Sequence, residues 1–291
     1  MKKDIEAVIS YWKDPGDGSR PDPENDAEIF LGHHDEDNRK MHITDMRDAE
    51  PNYSLDTNGF EVHSIPVKER DWENEEIVRT EYFGEISDLI KRVTGAKDVI
   101  VFTSALRGLA RGSLKPREFG GKKVQAPSPR PHVDFSPENA EEFVRSRIPG
   151  SAGPGALGSA EVLALIRNAP RWQVLGIWKP LETVERDPLV LIDSRSVPDS
   201  DYCDLVRDKT AKLMGREMKW VLSMLKHGSK EEQHRWHYLS DMKPEEVLVF
   251  KHFDSKRDIP AWRCAHTSIE IPGTENLPPR RSIDVRALVC Y

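Results

Sequence analysis

The sequence predicts a mainly β protein with flanking helices, a double-stranded β-helix of the jelly-roll, cupin-like kind. Three observations predict it. From Trp172 onward seven apolar runs of strand length are separated by turns, a pattern of closed or double-layered antiparallel sheets. A His-x-Asp pair, His132 and Asp134, stands at the entrance of this strand-rich region. His266 and Arg280 lie on or beside its last strands, so the chain returns to the pair after several strands have intervened.

In chain order, residues 1 to about 75 are rich in Asp, Glu, Pro and Asn and hold only short apolar alternations. They are expected as a polar N-terminal extension packed on the core, with Asp14-Pro15-Gly16-Asp17-Gly18 as a turn. Ile77, Tyr82, Ile86, Leu89, Ile90 and Val93 recur at helical spacing, and Gly95 stops that helix. Val99-Ile100-Val101-Phe102 reads as a buried strand. Ser136 followed by Pro137 reads as an N-cap with proline at the first helical position, predicting a helix to about Arg147. The Gly/Ser/Pro run from Pro149 to Ser159 is read as a loop that closes over the pocket as a lid. The seven strand runs are Trp172 to Trp178, Leu189 to Ile192, Trp220 to Leu225, Trp236 to Leu239, Val247 to Phe253, His266 to Ile271 and Ser282 to Tyr291. The Trp220 run also fits the end of a helix begun near Asp204. A single domain over 1–291 is expected, its jelly-roll core spanning 98–291, with no internal repeat.

Composition bounds the function. A chain of 291 residues can bury a sizeable core as one large domain or two small ones. Charged residues make up 32% and hydrophobic ones 37%, with mean hydropathy −0.63, as in a soluble protein with a charged exterior. No run approaches the roughly 18 apolar residues of a membrane span, and neither a signal peptide nor a lipidation motif is visible, so a cytoplasmic address is expected. Cys203, Cys264 and Cys290 are odd in number and lack zinc-like spacing, so they are expected reduced, Cys264 as a small buried apolar residue. A net charge of −7 without a basic stripe argues against nucleic acid and for a small-molecule substrate. The oligomeric state is not legible.

Two histidines and one carboxylate form the facial triad of non-haem Fe(II) oxygenases, which leaves three cis positions open for cosubstrate and dioxygen. In His132-x-Asp134 the side chains leave the same face of a strand and can bite one metal, and His266 supplies the third ligand. Arg280-x-Ser282 places donors suited to a carboxylate on one face. Two other His-x-Asp pairs compete. His33/Asp35 lies in a charged stretch and reads as a solvated loop, whereas His252/Asp254 ends a strand too close to His266 to complete a site. His234 and His237, three apart on a strand, point to opposite faces and are rejected as a metal pair. Trp178 is read as core, and Lys251 and Asp254 as solvated charges.

Several segments resemble the fungal and bacterial hydroxylase/desaturase family of iron(II), 2-oxoglutarate-dependent oxygenases, which includes gibberellin desaturase-like and cephem 7-alpha-methoxylase-related proteins. They are Arg130-Pro131-His132-Val133-Asp134, Ile177-Trp178-Lys179-Pro180-Leu181, Pro188-Leu189-Val190-Leu191-Ile192-Asp193, Trp236-His237-Tyr238-Leu239-Ser240-Asp241-Met242, Phe253-Asp254-Ser255, His266-Thr267-Ser268 and Arg281-Ser282-Ile283-Asp284-Val285-Arg286. The resemblance covers most of the chain beyond its first hundred residues. It implies a jelly-roll dioxygenase with His132, Asp134 and His266 on iron and 2-oxoglutarate chelating the metal. Arg280, assisted by Ser282, is then the first choice for the distal carboxylate of 2-oxoglutarate, with Arg286 as the alternative. Two departures stand out: Phe135 where relatives often have a polar residue, and Gly176 where they often have Asn, both pointing to a more apolar or roomier pocket.

The expected reaction is oxidative decarboxylation of 2-oxoglutarate with hydrogen abstraction from a small, secondary-metabolite substrate, ending in hydroxylation, desaturation or cyclisation. The alternatives are an iron oxidase independent of 2-oxoglutarate and a metal- or sugar-binding jelly-roll module without catalysis.

Overall fold

Strand β8 (Trp172–Pro180) is buried at every position, which a strand can be only where both its faces are covered. The structure, a computed structural model, describes residues 3–20, 36–47, 53–113, 117–119, 122–150, 157–204, 210–213, 216–219, 222–228 and 234–291. In it β8 is a central strand of a seven-stranded sheet ordered β3 (Phe60–Ser64), β15 (Glu246–Asp254), β8, β17 (Ser282–Cys290), β4 (Asp98–Arg107), β6 (Lys122–Gln125), β5 (Arg117–Phe119). An eight-stranded sheet faces it, ordered β1 (Ile5–Trp12), β2 (Glu36–Asp45), β14 (Trp236–Tyr238), β9 (Leu189–Ile192), β16 (His266–Ser268), β7 (His132–Val133), β13 (Ser223–Leu225), β10 (Tyr202–Asp204). Strands β11 (Thr210–Leu213) and β12 (Arg216–Lys219) form a separate two-stranded ribbon.

Strand alternation assigns the two faces. Trp178, Leu248 and Phe250 of the seven-stranded sheet enter one core with Ile9, Val190 and Trp236 of the eight-stranded sheet. The intervening Leu175, Ile177, Val249 and Val285 point outward and pack against Ile86 and Ile90. Those two residues belong to the helix read from the 3.6-residue spacing. It runs through α1 (Glu75–Ile77), a π-helical turn (Val78–Tyr82) and α2 (Phe83–Thr94). Asn74 caps its start by accepting from the Glu76 and Ile77 amides, and Gly95 ends it at φ 72°, a left-handed conformation that favours glycine. Burying a side chain such as Ile86 or Ile90 contributes about 1.5–3 kcal/mol.

The structure departs from the sequence expectations in two places. β1 and β2 form one edge of the eight-stranded sheet and β3 one edge of the other, so these three strands complete both sheets instead of lying on them as an extension. Buried Ala7, Ile9 and Tyr11 alternate with more exposed neighbours along β1, and that short alternation is enough for an edge strand. The helix after the His-x-Asp pair, α3 (Ala140–Arg147), begins at N-cap Asn139. Ser136 instead closes a turn, accepting from the Asn139 side chain at 2.9 Å and from its amide at 3.1 Å. Near Asp204 and Leu225 the described residues are strands, β10 and β13, paired antiparallel. The middle of the expected lid, residues 151–156, and His33/Asp35 lie outside the described residues. α4 (Ser159–Asn168) follows the loop and packs with α3 on Phe102, Val174 and Leu288. No described helix is long and apolar enough to cross a membrane.

Candidate functional site

β7 is only two residues long, but it lies between β16 and β13. His132 pairs directly with His266 in the antiparallel register, which puts both side chains on one face a few ångströms apart. Their rings have centroids 4.4 Å apart. Asp134, two residues beyond His132, turns to the same side, with Oδ1 3.3 Å from His132 Nε2 and 3.9 Å from His266 Nε2. One ligand atom from each of the three residues falls within 4.8 Å of the others, the only such metal-competent group among the described residues.

The donor chemistry fits a divalent metal. His132 Nδ1 lies 2.7 Å from the Arg130 carbonyl, so that nitrogen carries the proton and Nε2 offers a lone pair to the cluster. Burial, then the neighbouring His132, keeps the His266 pKa well below its ordinary value and the ring neutral. Burial pushes the Asp134 carboxyl upward, but Arg286, His252, His132 and His266 together hold it well below the usual range. A neutral imidazole at His266 beside an ionised Asp134 is the pairing of protonation states that binds a metal.

Around the cluster is a cavity of ≈ 40 Å³ whose polar lining includes Arg107, Asp284, Arg280 and Arg286. Arg280 is buried, its guanidinium 5.1 Å over the Trp178 ring. It donates through Nη1 to the Asp187 carbonyl and, at 3.4 Å, to Ser268 Oγ, while its Nε has no partner. Burial, then Arg107, pushes its pKa down to about 9. A buried guanidinium with a free N–H and no carboxylate bonded to it is a receptor for an anion. The Ser282 hydroxyl is likewise buried and unpartnered, but Ser282 does not line the cavity. Arg286 is engaged differently, its Nε donating to Asp134 Oδ2. Arg107 pairs with Asp284 at 3.1 Å and donates to the Ala126 carbonyl at 2.8 Å.

Several residues stand elsewhere than the sequence suggests. His252 lines the cavity, its Nε2 3.3 Å from Asp134 Oδ2. Trp178 belongs to the core and also forms a cavity wall. Lys251 and Asp254, expected as solvated charges, are fully buried and joined at 2.8 Å. The cause is a β-bulge: the β15–β8 register shifts between Lys251 and Phe253, so one extra residue enters β15. Lys251 and Asp254 thereby share the face away from the cavity, where Asp254 also receives Arg171 at 3.1 Å and Gln173 at 2.8 Å. His252 and Asp254 consequently point to opposite faces, which separates that His-x-Asp pair. His234 and His237 have different partners, Asp201 and Tyr11 for the first and Tyr53 for the second. Cys264 is buried in the core, and all three cysteines are unpaired. The third His-x-Asp pair was the sequence signal for His252. Asp284 falls within the Arg281–Arg286 segment that carries the resemblance, whereas Arg107, at the end of β4, carries no such signal.

Residues 9–290 match the family model described as Oxidoreductase/YMDC permease-like domain. The chain is 32% identical over 290 residues to the alpha-ketoglutarate-dependent dioxygenase phiK of a fungal species (strain ATCC 74256), covering 99% of this chain and 96% of that one. It is 31% identical over 292 residues to the alpha-ketoglutarate-dependent dioxygenase tstK of Talaromyces stipitatus, covering 98% and 97%. Among solved structures, the iron and alpha-ketoglutarate-dependent endoperoxidase NvfI superposes with TM-score 0.74 at 23% identity over 99% of this chain and 98% of that one, a likeness of fold.

Proposed function

Because the chain belongs to the Oxidoreductase/YMDC permease-like domain family, with fungal alpha-ketoglutarate-dependent dioxygenases as full-length relatives, we propose that it oxidises a small secondary metabolite using Fe(II), 2-oxoglutarate and dioxygen. The observation that carries this reading is the convergence of His132, Asp134 and His266 beside a buried arginine with an unpartnered N–H.

His132, Asp134 and His266 would hold the metal, three protein ligands that leave its other positions to cosubstrate and dioxygen. Arg280 takes the distal carboxylate of 2-oxoglutarate, through Nε and the donors it now gives to Asp187 and Ser268. Arg286 neutralises and holds Asp134, and that engagement favours Arg280 over Arg286 as the anchor. Ser282 supports the anchor from the start of β17. The cavity carries Arg107, Arg280 and Arg286 against Asp134 and Asp284, a positive excess inside a chain of net charge −7, which suits a dianionic cosubstrate. Fe(II) with 2-oxoglutarate supplies, by reducing dioxygen, the oxidant that removes hydrogen from an unactivated C–H bond, releasing succinate and carbon dioxide. Trp178, Leu189 and Phe250 form the apolar part of the wall and exclude water from that chemistry. The outcome is hydroxylation, desaturation or cyclisation, according to where the substrate presents its hydrogens.

The reading takes 1–291 as one oxygenase domain with a cytoplasmic address, supported by three unpaired cysteines, and with no nucleic-acid partner, supported by the net charge of −7. The test is anaerobic loading with Fe(II) and 2-oxoglutarate followed by oxygen. Succinate is expected, and lost in His132→Ala. Substrate oxidation without succinate would replace this reading with a 2-oxoglutarate-independent oxidase.

A further inference from the structure

We infer that His252 is a positioning residue that keeps Asp134 a one-oxygen metal ligand, and that position 176 is glycine to make room for it. The inference rests on the reading of His132, Asp134 and His266 as ligands, and assigns a role to a residue outside that set.

The two oxygens of Asp134 face different surroundings. Oδ1 looks toward the other two ligand residues, 3.3 Å from His132 Nε2 and 3.9 Å from His266 Nε2. Oδ2 looks away from them, 3.3 Å from His252 Nε2 and within the hydrogen bond from Arg286 Nε. His252 is 2% exposed, and its Nδ1 has no partner. The ring proton is therefore best placed on Nε2, the nitrogen 3.3 Å from Oδ2, since Nδ1–H would leave a buried donor unsatisfied.

The ring has little freedom to do anything else. Phe135 stands edge-on at 5.4 Å and 83°, Phe250 at 5.0 Å and 67°, and His266 at 5.3 Å and 67°. The remaining side is closed by backbone: in β8, Gly176 lies between Phe250 of β15 and Arg286 of β17. A Cβ there would sit 2.5 Å from His252 Nε2 and 2.6 Å from Phe250 Cζ, closer than side chains pack. The space opened by Gly176 is thus filled by His252 and Phe250 and does not enlarge the pocket.

The consequence is chemical. A carboxylate with both oxygens free can bind a metal through either or both, and a two-oxygen bite would close one of the positions that cosubstrate and dioxygen require. With Oδ2 engaged by His252 and Arg286, Asp134 offers Oδ1 alone.

The experiment titrates Co(II) anaerobically into metal-free protein, reading tryptophan fluorescence for affinity and the visible d–d absorption for coordination number. Wild type, His252→Gln, His252→Leu, Gly176→Ala and His132→Ala are compared, with metal-free melting temperature as the folding control. His252→Leu and Gly176→Ala are expected to weaken Co(II) about 10- to 100-fold, the usual loss for a residue that orients a ligand, and to alter the absorption. His252→Gln, which keeps a terminal N–H near the Nε2 position, is expected to restore both. Wild-type Co(II) affinity and spectrum in a folded His252→Leu protein would overturn the inference, as would a lowered melting temperature alone, the mark of a packing role. Retention of Co(II) by His132→Ala would instead show that the ligand reading beneath it is wrong.

Discussion

Arg280→Ala separates cosubstrate binding from metal binding. Arg280 is buried, and its Nε is unpartnered, while Nη1 is occupied by the Asp187 carbonyl and Ser268 Oγ. A carboxylate bound there gains a charge-assisted contact worth about 1.5–3 kcal/mol. At 1.4 kcal/mol per tenfold, truncation should raise the 2-oxoglutarate dissociation constant about 10- to 140-fold. The metal should be nearly unaffected, because Arg280 touches none of His132, Asp134 and His266. Isothermal titration of the metal-loaded, anaerobic protein with 2-oxoglutarate measures the change, and pyruvate, which lacks the distal carboxylate, is the control. The preference for 2-oxoglutarate over pyruvate should collapse in Arg280→Ala, and Arg280→Lys should fall between because it keeps the charge but loses the planar fork. Arg286→Ala should do the reverse, weakening metal more than cosubstrate, since Arg286 holds Asp134. An unchanged 2-oxoglutarate affinity in Arg280→Ala, with a large loss in Arg286→Ala, would refute the assignment of the anchor.

His132→Ala, Asp134→Ala and His266→Ala should each abolish stoichiometric Fe(II) binding, and full occupancy in any one of them removes that residue from the ligand set. Lys251→Met should destabilise the fold by about 1.5–3 kcal/mol in urea unfolding, because it removes one buried charge-assisted hydrogen bond, while Asp254 keeps Arg171 and Gln173. Burial raises the Asp254 pKa, but Arg171, Lys251 and Gln173 outweigh it and depress it. A depressed carboxyl gives stability that is present above its unfolded value of about 3.9 and lost as pH falls through the folded one. Unfolding midpoints between pH 6 and about 3 should therefore fall less steeply in Asp254→Asn than in wild type. Gly95→Ala should cost about 1 kcal/mol, read as a lower melting temperature, since Gly95 sits at φ 72°.

What the sequence determined by itself was local pattern and chemical type. The helix through Ile86 and Ile90, the strands at Trp172, Val247 and Ser282, and the pairing of His132-x-Asp134 with a later histidine were legible, because periodicity and two-residue spacing depend on neighbours along the chain. Tertiary structure decided what neighbours along the chain cannot: which strands lie side by side. That β1 and β2 extend the sheet through β14 depends on pairing across nearly two hundred residues, and their mixed polarity does not announce it. His266 meets His132 only through the β16–β7 register. The bulge in β15 reversed the sequence reading of Lys251 and Asp254, because one inserted residue exchanges the faces of everything beyond it. It places Lys251 and Asp254 together on the far face, and leaves His252 in the cavity beside Asp134.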